Sequence, residues 1–144
     1  MKIAVFNRHF SRRAGGAESY SVALVEGLAE QHEVHVFAQT IEHAHPKVTY
    51  HKVPGPIDRP RWINQLFFAA YTWWKTHKPS NDGGFDVIHS HENTWHGQVQ
   101  TVHVRPIRYN LFHPNHKALS GWRLWLRWLK VCTSLRLASY VWLE

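Results

Sequence analysis

The chain has 144 residues, about one domain's worth, with 44% hydrophobic and 19% charged residues, a balance that supports a buried core and excludes an intrinsically disordered chain. The formal net charge is +7 with the thirteen histidines counted as neutral, which favours anionic partners (phosphates, nucleic acid or an anionic membrane surface) without choosing among them. A single cysteine, Cys132, excludes an intrachain disulfide and fits a reducing compartment.

Ile3–Phe6 is a short apolar run, the pattern of a central strand buried on both faces. It is too short for a signal peptide, and no segment approaches the roughly 20 apolar residues of a spanning helix. The expectation is a cytoplasmic protein, or one that lies on a membrane without crossing it. Residues 7–16 form a polar, basic loop. Ala17–Gln31 reads as a helix with Tyr20, Leu24, Val25 and Leu28 on its inner stripe, and His32–Ala38 reads as a strand. Strand, glycine-containing loop, helix and strand make a βαβ unit, which implies a parallel sheet with a right-handed crossover. Val48–Val53 is a third strand, stopped by Pro54-Gly55-Pro56. Ile63–His77 is the clearest helix, with Ile63, Leu66, Phe67, Ala70, Tyr71 and Trp74 on one stripe. Pro79–Gly84 is a turn cluster, Asp86–Ser90 and Gln98–Val104 are the fourth and fifth strands, and Tyr109–Ser120 is a loop. Gly121 precedes a last helix over Trp122–Leu137. No repeat or linker divides the chain, so residues 1–144 are expected to form one domain.

The most informative segment is Arg8–Glu18, which contains Gly15-Gly16-Ala17-Glu18. Two glycines stand where the loop after the first strand enters a helix. Glycine permits positive φ and close approach of a ligand to the backbone. The helix mouth offers unpaired N–H groups and the positive end of the dipole. Together with Arg8, Arg12 and Arg13 this suits a phosphate or diphosphate at the carboxyl edge of the sheet. The segment lacks G-x-G-x-x-G and Gly-Lys-Ser/Thr, which disfavours a dinucleotide fold or a P-loop. A plain turn into the helix is the remaining alternative.

Lys2-Ile3-Ala4-Val5-Phe6, Gly15-Gly16-Ala17-Glu18-Ser19-Tyr20, His32-Glu33-Val34-His35-Val36, Phe85-Asp86-Val87-Ile88-His89-Ser90-His91 and Gln100-Thr101-Val102-His103 follow one another in order. This set resembles the opening of family 4 glycosyltransferases, retaining enzymes of the two-domain GT-B architecture. The later aromatic and basic stretch is closer to the bacterial lipopolysaccharide-core branch. The resemblance implies an α/β, Rossmann-like parallel sheet flanked by helices, the incomplete N-terminal, acceptor-side half of such an enzyme. It implies hexosyltransferase-type transfer of a sugar from a nucleotide-sugar donor to a glycan or lipid-linked acceptor with retention, and no cofactor or obligatory metal. It also implies that Gly15 and Gly16 contact the donor diphosphate, and that His103 sits near the transferred sugar, to hydrogen-bond a sugar hydroxyl or to steady positive charge at the anomeric carbon. A hydrogen-bonded structural histidine is the alternative for His103. The family's second domain and its Glu-x7-Glu segment lie beyond Glu144. The chain therefore reads as truncated, and by itself is expected not to transfer sugar.

His89 and His91 alternate with Ser90, share one face and, with Glu92, are expected to line the acceptor cleft. A metal site on His43, His45, His89 and His91 is disfavoured by the absence of a ligand-spacing motif; His43 and His45 read as solvent-exposed loop residues, and Cys132 as a buried helix residue. In the last helix, Trp125, Trp128, Leu129, Cys132 and Leu135 share helical spacing, while Arg123, Arg127 and Lys130 mark another face. One reading is a surface helix with its tryptophans packed on the sheet. The other is an amphipathic helix in a membrane interface, giving peripheral attachment on the inner face of the membrane. Nucleic acid is not an expected partner, since no nucleic-acid motif accompanies the basic residues. A non-catalytic membrane- or ligand-binding remnant of a glycosyltransferase is the alternative function.

Overall fold

The structure is a computed structural model that describes residues 1–13, 15–57, 59–77, 84–103, 105–114 and 119–143. The chain divides into two units, Met1–Thr101 and Val102–Glu144.

The first unit is built on a five-stranded sheet of order β5-β3-β1-β6-β7. Its strands are β1 (Lys2–Phe6), β3 (Glu33–Ala38), β5 (Val48–Lys52), β6 (Val87–Ser90) and β7 (Val99–Gln100), and every pairing is parallel. β1 lies at the centre, with Val5 beside Val36 on one side and His89 on the other. This is why Ile3–Phe6 is apolar without alternation: both faces are covered. Ile3, Val5, Val34 and Val36 pack with Val22, Val25 and Ala29 of α1 (Gly16–Ala29). Ala4, Phe6, Phe37 and Ile88 pack with Val53 and with Phe68 of α2 (Arg61–His77).

Both helices lie in the predicted places, but their inner faces are rotated from the predicted stripes. α1 buries Ser21, Val22, Val25 and Ala29, while Tyr20 is 49% exposed and Leu24 and Leu28 are half-buried. The Asn7 side chain donates to Ser21 Oγ, drawing that small face onto the end of β1. α2 buries Gln65, Phe68, Ala69 and Thr72 and exposes Ala70, Trp73 and Trp74. Thr72 satisfies its buried hydroxyl by donating to Phe68 O at 2.8 Å. Aromatic residues stand on several sides of α2, so hydrophobicity alone leaves its phase open.

The basic loop after β1 contains a short strand not expected from its polarity, β2 (His9–Phe10), paired in parallel with β4 (Thr40–Ile41). Phe10 is fully buried there. The fifth strand is shorter than predicted: pairing with β6 ends where Thr101 N–H donates to Ser90 O at 2.9 Å. His103 is therefore an exposed residue beyond the strand, and Val104 is outside the described residues. Most of the predicted turn at Pro79–Gly84 also lies outside them.

The second unit holds α3 (Ile107–Phe112), α4 (Trp122–Thr133) and α5 (Leu135–Leu143). Two expectations are corrected here. Tyr109–Ser120 begins as a helix, with Pro106 at its N-cap and Asn110 N–H donating to Pro106 O at 3.1 Å; proline is preorganised for such a start. The predicted Trp122–Leu137 helix is two helices. Ser134 leaves the helical region (φ −111°, ψ 104°) and its hydroxyl accepts from Leu137 N–H at 3.4 Å, so it ends α4 and caps α5.

A candidate donor-side edge of the sheet

The carboxyl edge of the sheet is where β1 and β6 end and α1 begins. Asn7 stops β1: its amide donates to Phe37 O at 3.1 Å, and its side-chain oxygen accepts from His9 N–H at 3.2 Å. The chain then runs to Gly15, the N-cap of α1. The first helical bond runs from Ser19 N–H to Gly15 O at 3.0 Å. The amides of Gly16, Ala17 and Glu18 thus have no partner within the helix, and they lie at its positive end. Gly15 is extended (φ 166°), so the expected positive φ is not what places glycine there. The case for Gly16 is space: a Cβ on Gly16 would meet nothing within 4 Å, so nothing in the chain itself demands a glycine. Beside Gly15, Glu18 Oε2 comes within 2.8 Å of where a Cβ would stand, which sets a carboxylate over the first turn.

The three loop arginines divide by role. The backbone N–H and Nε of Arg8 donate to the two carboxylate oxygens of Glu92, at 3.2 and 2.9 Å, tying the end of β1 to the end of β6. Arg12 donates to Glu26 of α1 at 2.6 Å, and His43 Nε2 lies 2.7 Å from the same carboxylate. These neighbours hold the Glu26 carboxyl below its usual range, the bond from Arg12 first and that from His43 second. Arg13 has no carboxylate partner among the described residues.

His89 and His91 do share a face. Their rings stack with centroids 4.6 Å apart, and His91 lies 6.0 Å from the ring of Tyr20 on α1. His89 pairs with Thr101 (Nε2 to Oγ1, 2.7 Å), and burial holds its pKa below the usual histidine value. Tyr20, expected in the core, instead joins the histidines beside the helix mouth. Glu92 is placed next to His91 with its carboxylate engaged by Arg8. His43 and His45 are half-buried rather than exposed, His43 on Glu26 and the His45 amide on Tyr50 Oη at 2.9 Å. Among the described residues no group of three or more His, Cys, Asp or Glu side chains could hold a metal ion. His103 belongs to the second unit.

Sequence reasoning missed the Arg8–Glu92 pair, whose members are 84 positions apart, and the role of His96. The His96 ring lies 5.2 Å from the Phe6 ring with Nε2 3.2 Å from Thr72 Oγ1. Burial, then the nearby His77, pushes its pKa down to about 4. A lone histidine in a loop carries no pattern that announces such burial.

In the second unit, Trp122 and Trp125 are 67% and 64% exposed, and Leu126, Leu129 and Cys132 are exposed with them. This corrects both the expected burial of Cys132 and the reading in which the tryptophans form core. Trp128 is also exposed, at 41%, with one edge of its ring against Phe112, centroids 4.8 Å apart. No helix among the described residues is long and apolar enough to cross a membrane.

The model of Glycosyltransferase Family 4 matches residues 14–141. A solved structure of WaaG, a glycosyltransferase involved in lipopolysaccharide biosynthesis, has a similar fold, with a TM-score of 0.70 and 16% sequence identity over 99% of this chain and 34% of that one. The chain thus spans about a third of the length of that relative. A comparison with curated proteins found no match.

Proposed function

Since the chain belongs to glycosyltransferase family 4, we propose that it supplies the acceptor-side half of a retaining, hexosyltransferase-type enzyme acting on a nucleotide sugar. In this reading the reaction breaks the bond between the anomeric carbon and the diphosphate and joins that carbon, on the same face, to a hydroxyl of a glycan or lipid-linked acceptor. The amides at the mouth of α1 meet the departing diphosphate, where negative charge grows and preorganised donors count most. Gly16 leaves room for that approach. Arg13 adds loop charge that no carboxylate among the described residues neutralises. His89 and His91 line the acceptor side, His89 as a neutral ring suited to hydrogen bonding a hydroxyl. Glu92 borders the cleft through its pair with Arg8, and His103 serves the anomeric centre. A second domain supplies the nucleotide contacts, and no metal or cofactor takes part.

The observation that carries this reading is the open space beside Gly16 at the first turn of a helix fed by the central strand. Amide spectra recorded during titration with inorganic pyrophosphate and with a panel of nucleotide sugars test it. The expected result is shifts at Gly16–Ser19 that vanish in Gly16→Val; a wild-type spectrum that does not move at saturating ligand overturns it. The chain alone is expected to give no turnover with the same panel.

A membrane-associated remnant is the second reading, and the exposed face of α4 favours it. Trp122, Trp125, Leu126 and Leu129 are exposed, with Arg123, Arg127 and Lys130 on the adjoining side of the helix. Such a helix suits the interface of an anionic membrane, and it is equally compatible with an enzyme at the inner, cytoplasmic face that takes a lipid-linked acceptor. Co-sedimentation with phosphatidylglycerol vesicles measures the attachment, and the pyrophosphate titration separates remnant from enzyme.

A further inference from the structure

A chain of side chains unconnected with the donor edge joins the strand β5 to the rest of the sheet. Glu33 Oε1 lies 2.8 Å from His35 Nε2, and His35 Nδ1 lies 2.8 Å from His51 Nε2. The two rings are within 13° of coplanar, so the contact is an in-plane hydrogen bond between imidazoles of neighbouring strands. His51 stacks on Phe37 at 4.5 Å, and His35 meets Phe85 edge-on at 5.2 Å. The His35 side chain is 11% exposed. The bond links β3 to β5, which stands at one end of the sheet with β3 as its paired neighbour.

We propose that Glu33, His35 and His51 form an acid-sensitive latch that holds the edge strand β5 on the sheet. The chemistry is a matter of counting hydrogens. In the neutral pair, His35 gives its Nε2 hydrogen to Glu33 and accepts at Nδ1 from His51 Nε2. One added proton leaves the bond intact, because an imidazolium beside Glu33 can donate from Nδ1 to a neutral His51 that shifts to its other tautomer. A second proton places two N–H groups nose to nose. The bond is then lost and two like charges remain.

The neighbours decide which ring resists. The bond to His35 first, and then the charge of Lys2, holds the Glu33 carboxyl below its usual range. His51 is held below the usual histidine range by burial first, then by His35, Lys75 of α2 and Lys2 of β1. Lys2 also reaches Glu33 at 3.7 Å, and its backbone N–H donates to Asp86 Oδ2, before β6, at 2.6 Å. Glu33 is the carboxylate at the ring pair, and Lys2 and Lys75 oppose any further charge. A histidine kept neutral in the folded state contributes stability that is complete above its unfolded pKa and is lost as pH falls below it.

Hydrogen exchange of the full chain at pH 7.5, 6 and 5, corrected for intrinsic rates, tests the latch. Protection of the β5 amides (Val48–Lys52) is expected to fall about tenfold more than that of β1 across this range. In His51→Phe, which keeps a ring against Phe37 but cannot titrate, that excess should vanish. Should that variant not fold, imidazole nitrogen spectra of the wild type decide. The expected outcome is His51 taking up its proton below the ordinary histidine range, with loss of β5 protection following it. The proposal is overturned if β5 and β1 respond alike, or if both rings titrate independently as ordinary exposed histidines.

Discussion

The two units differ in how many aromatic rings they enclose. In Met1–Thr101, the rings of Phe6, Phe10, Phe37 and Phe68 fill the space between sheet and helices and are 3% exposed or less. In Val102–Glu144, Trp122, Trp125 and Trp142 are each more than 60% exposed, while Phe112, Val131, Ser139 and Leu143 are the buried residues among those described. Three short helices have too little area to enclose several indoles, whereas a sheet covered on both faces encloses its side chains by construction. The lesson is that the first unit's phenylalanines maintain a fold, whereas much of the second unit's hydrophobicity lies on its surface.

The largest effect should come from the first unit. Phe6→Ala empties a fully buried position beside Phe37 and His96 and is expected to cost about 3–5 kcal/mol, measured by urea denaturation followed by circular dichroism. A loss under about 1 kcal/mol would place Phe6 outside a packed core.

The next effect is acid sensitivity specific to that core. His96 has a folded pKa of about 4, against an ordinary histidine value of 6.5. Above that ordinary value neither state binds the proton. Between there and the folded value the unfolded chain binds it and the native chain does not, so stability falls as pH drops through this window. Melting temperatures from pH 7.5 to 4 should decline more steeply in the wild type than in His96→Phe. Parallel curves would show that the ring is not protected from protons in the fold.

The smallest effect on stability, and the sharpest contrast, belongs to the second unit. Trp125→Ala removes an exposed ring and should change unfolding free energy by no more than about 0.5 kcal/mol, as surface substitutions do. The same substitution should weaken phosphatidylglycerol vesicle binding severalfold. A large loss of stability with unchanged vesicle binding would mean that Trp125 is core after all.

Much of the first unit was legible in the sequence, because strand and helix identity follow from local periodicity. The unbroken run Ile3–Phe6, the strand read at His32–Ala38 and found at Glu33–Ala38, and the helix ending at His77 are set by neighbours within a few residues, and so is the place of Gly15-Gly16 before a helix. Side-chain phase was another matter. In α1 and α2 apolar residues occur on more than one side, and it took the sheet to select Val22 over Tyr20 and Phe68 over Trp74. The site divides in the same way: its glycine mouth was visible, whereas the diversion of Arg8 to Glu92 and of Arg12 to Glu26 required partners brought together from distant positions.

The sequence by itself determined a parallel α/β core, a glycine-lined helix mouth after the first strand, and a late segment rich in tryptophan and arginine, because these depend on residue type and short spacing. Only the tertiary structure decided which histidines are buried, which arginines are spent on carboxylates, where Ser134 breaks the last helix in two, and that the tryptophans of α4 face outward. Burial and charge pairing are properties of three-dimensional neighbourhoods, and residues far apart in the chain create them.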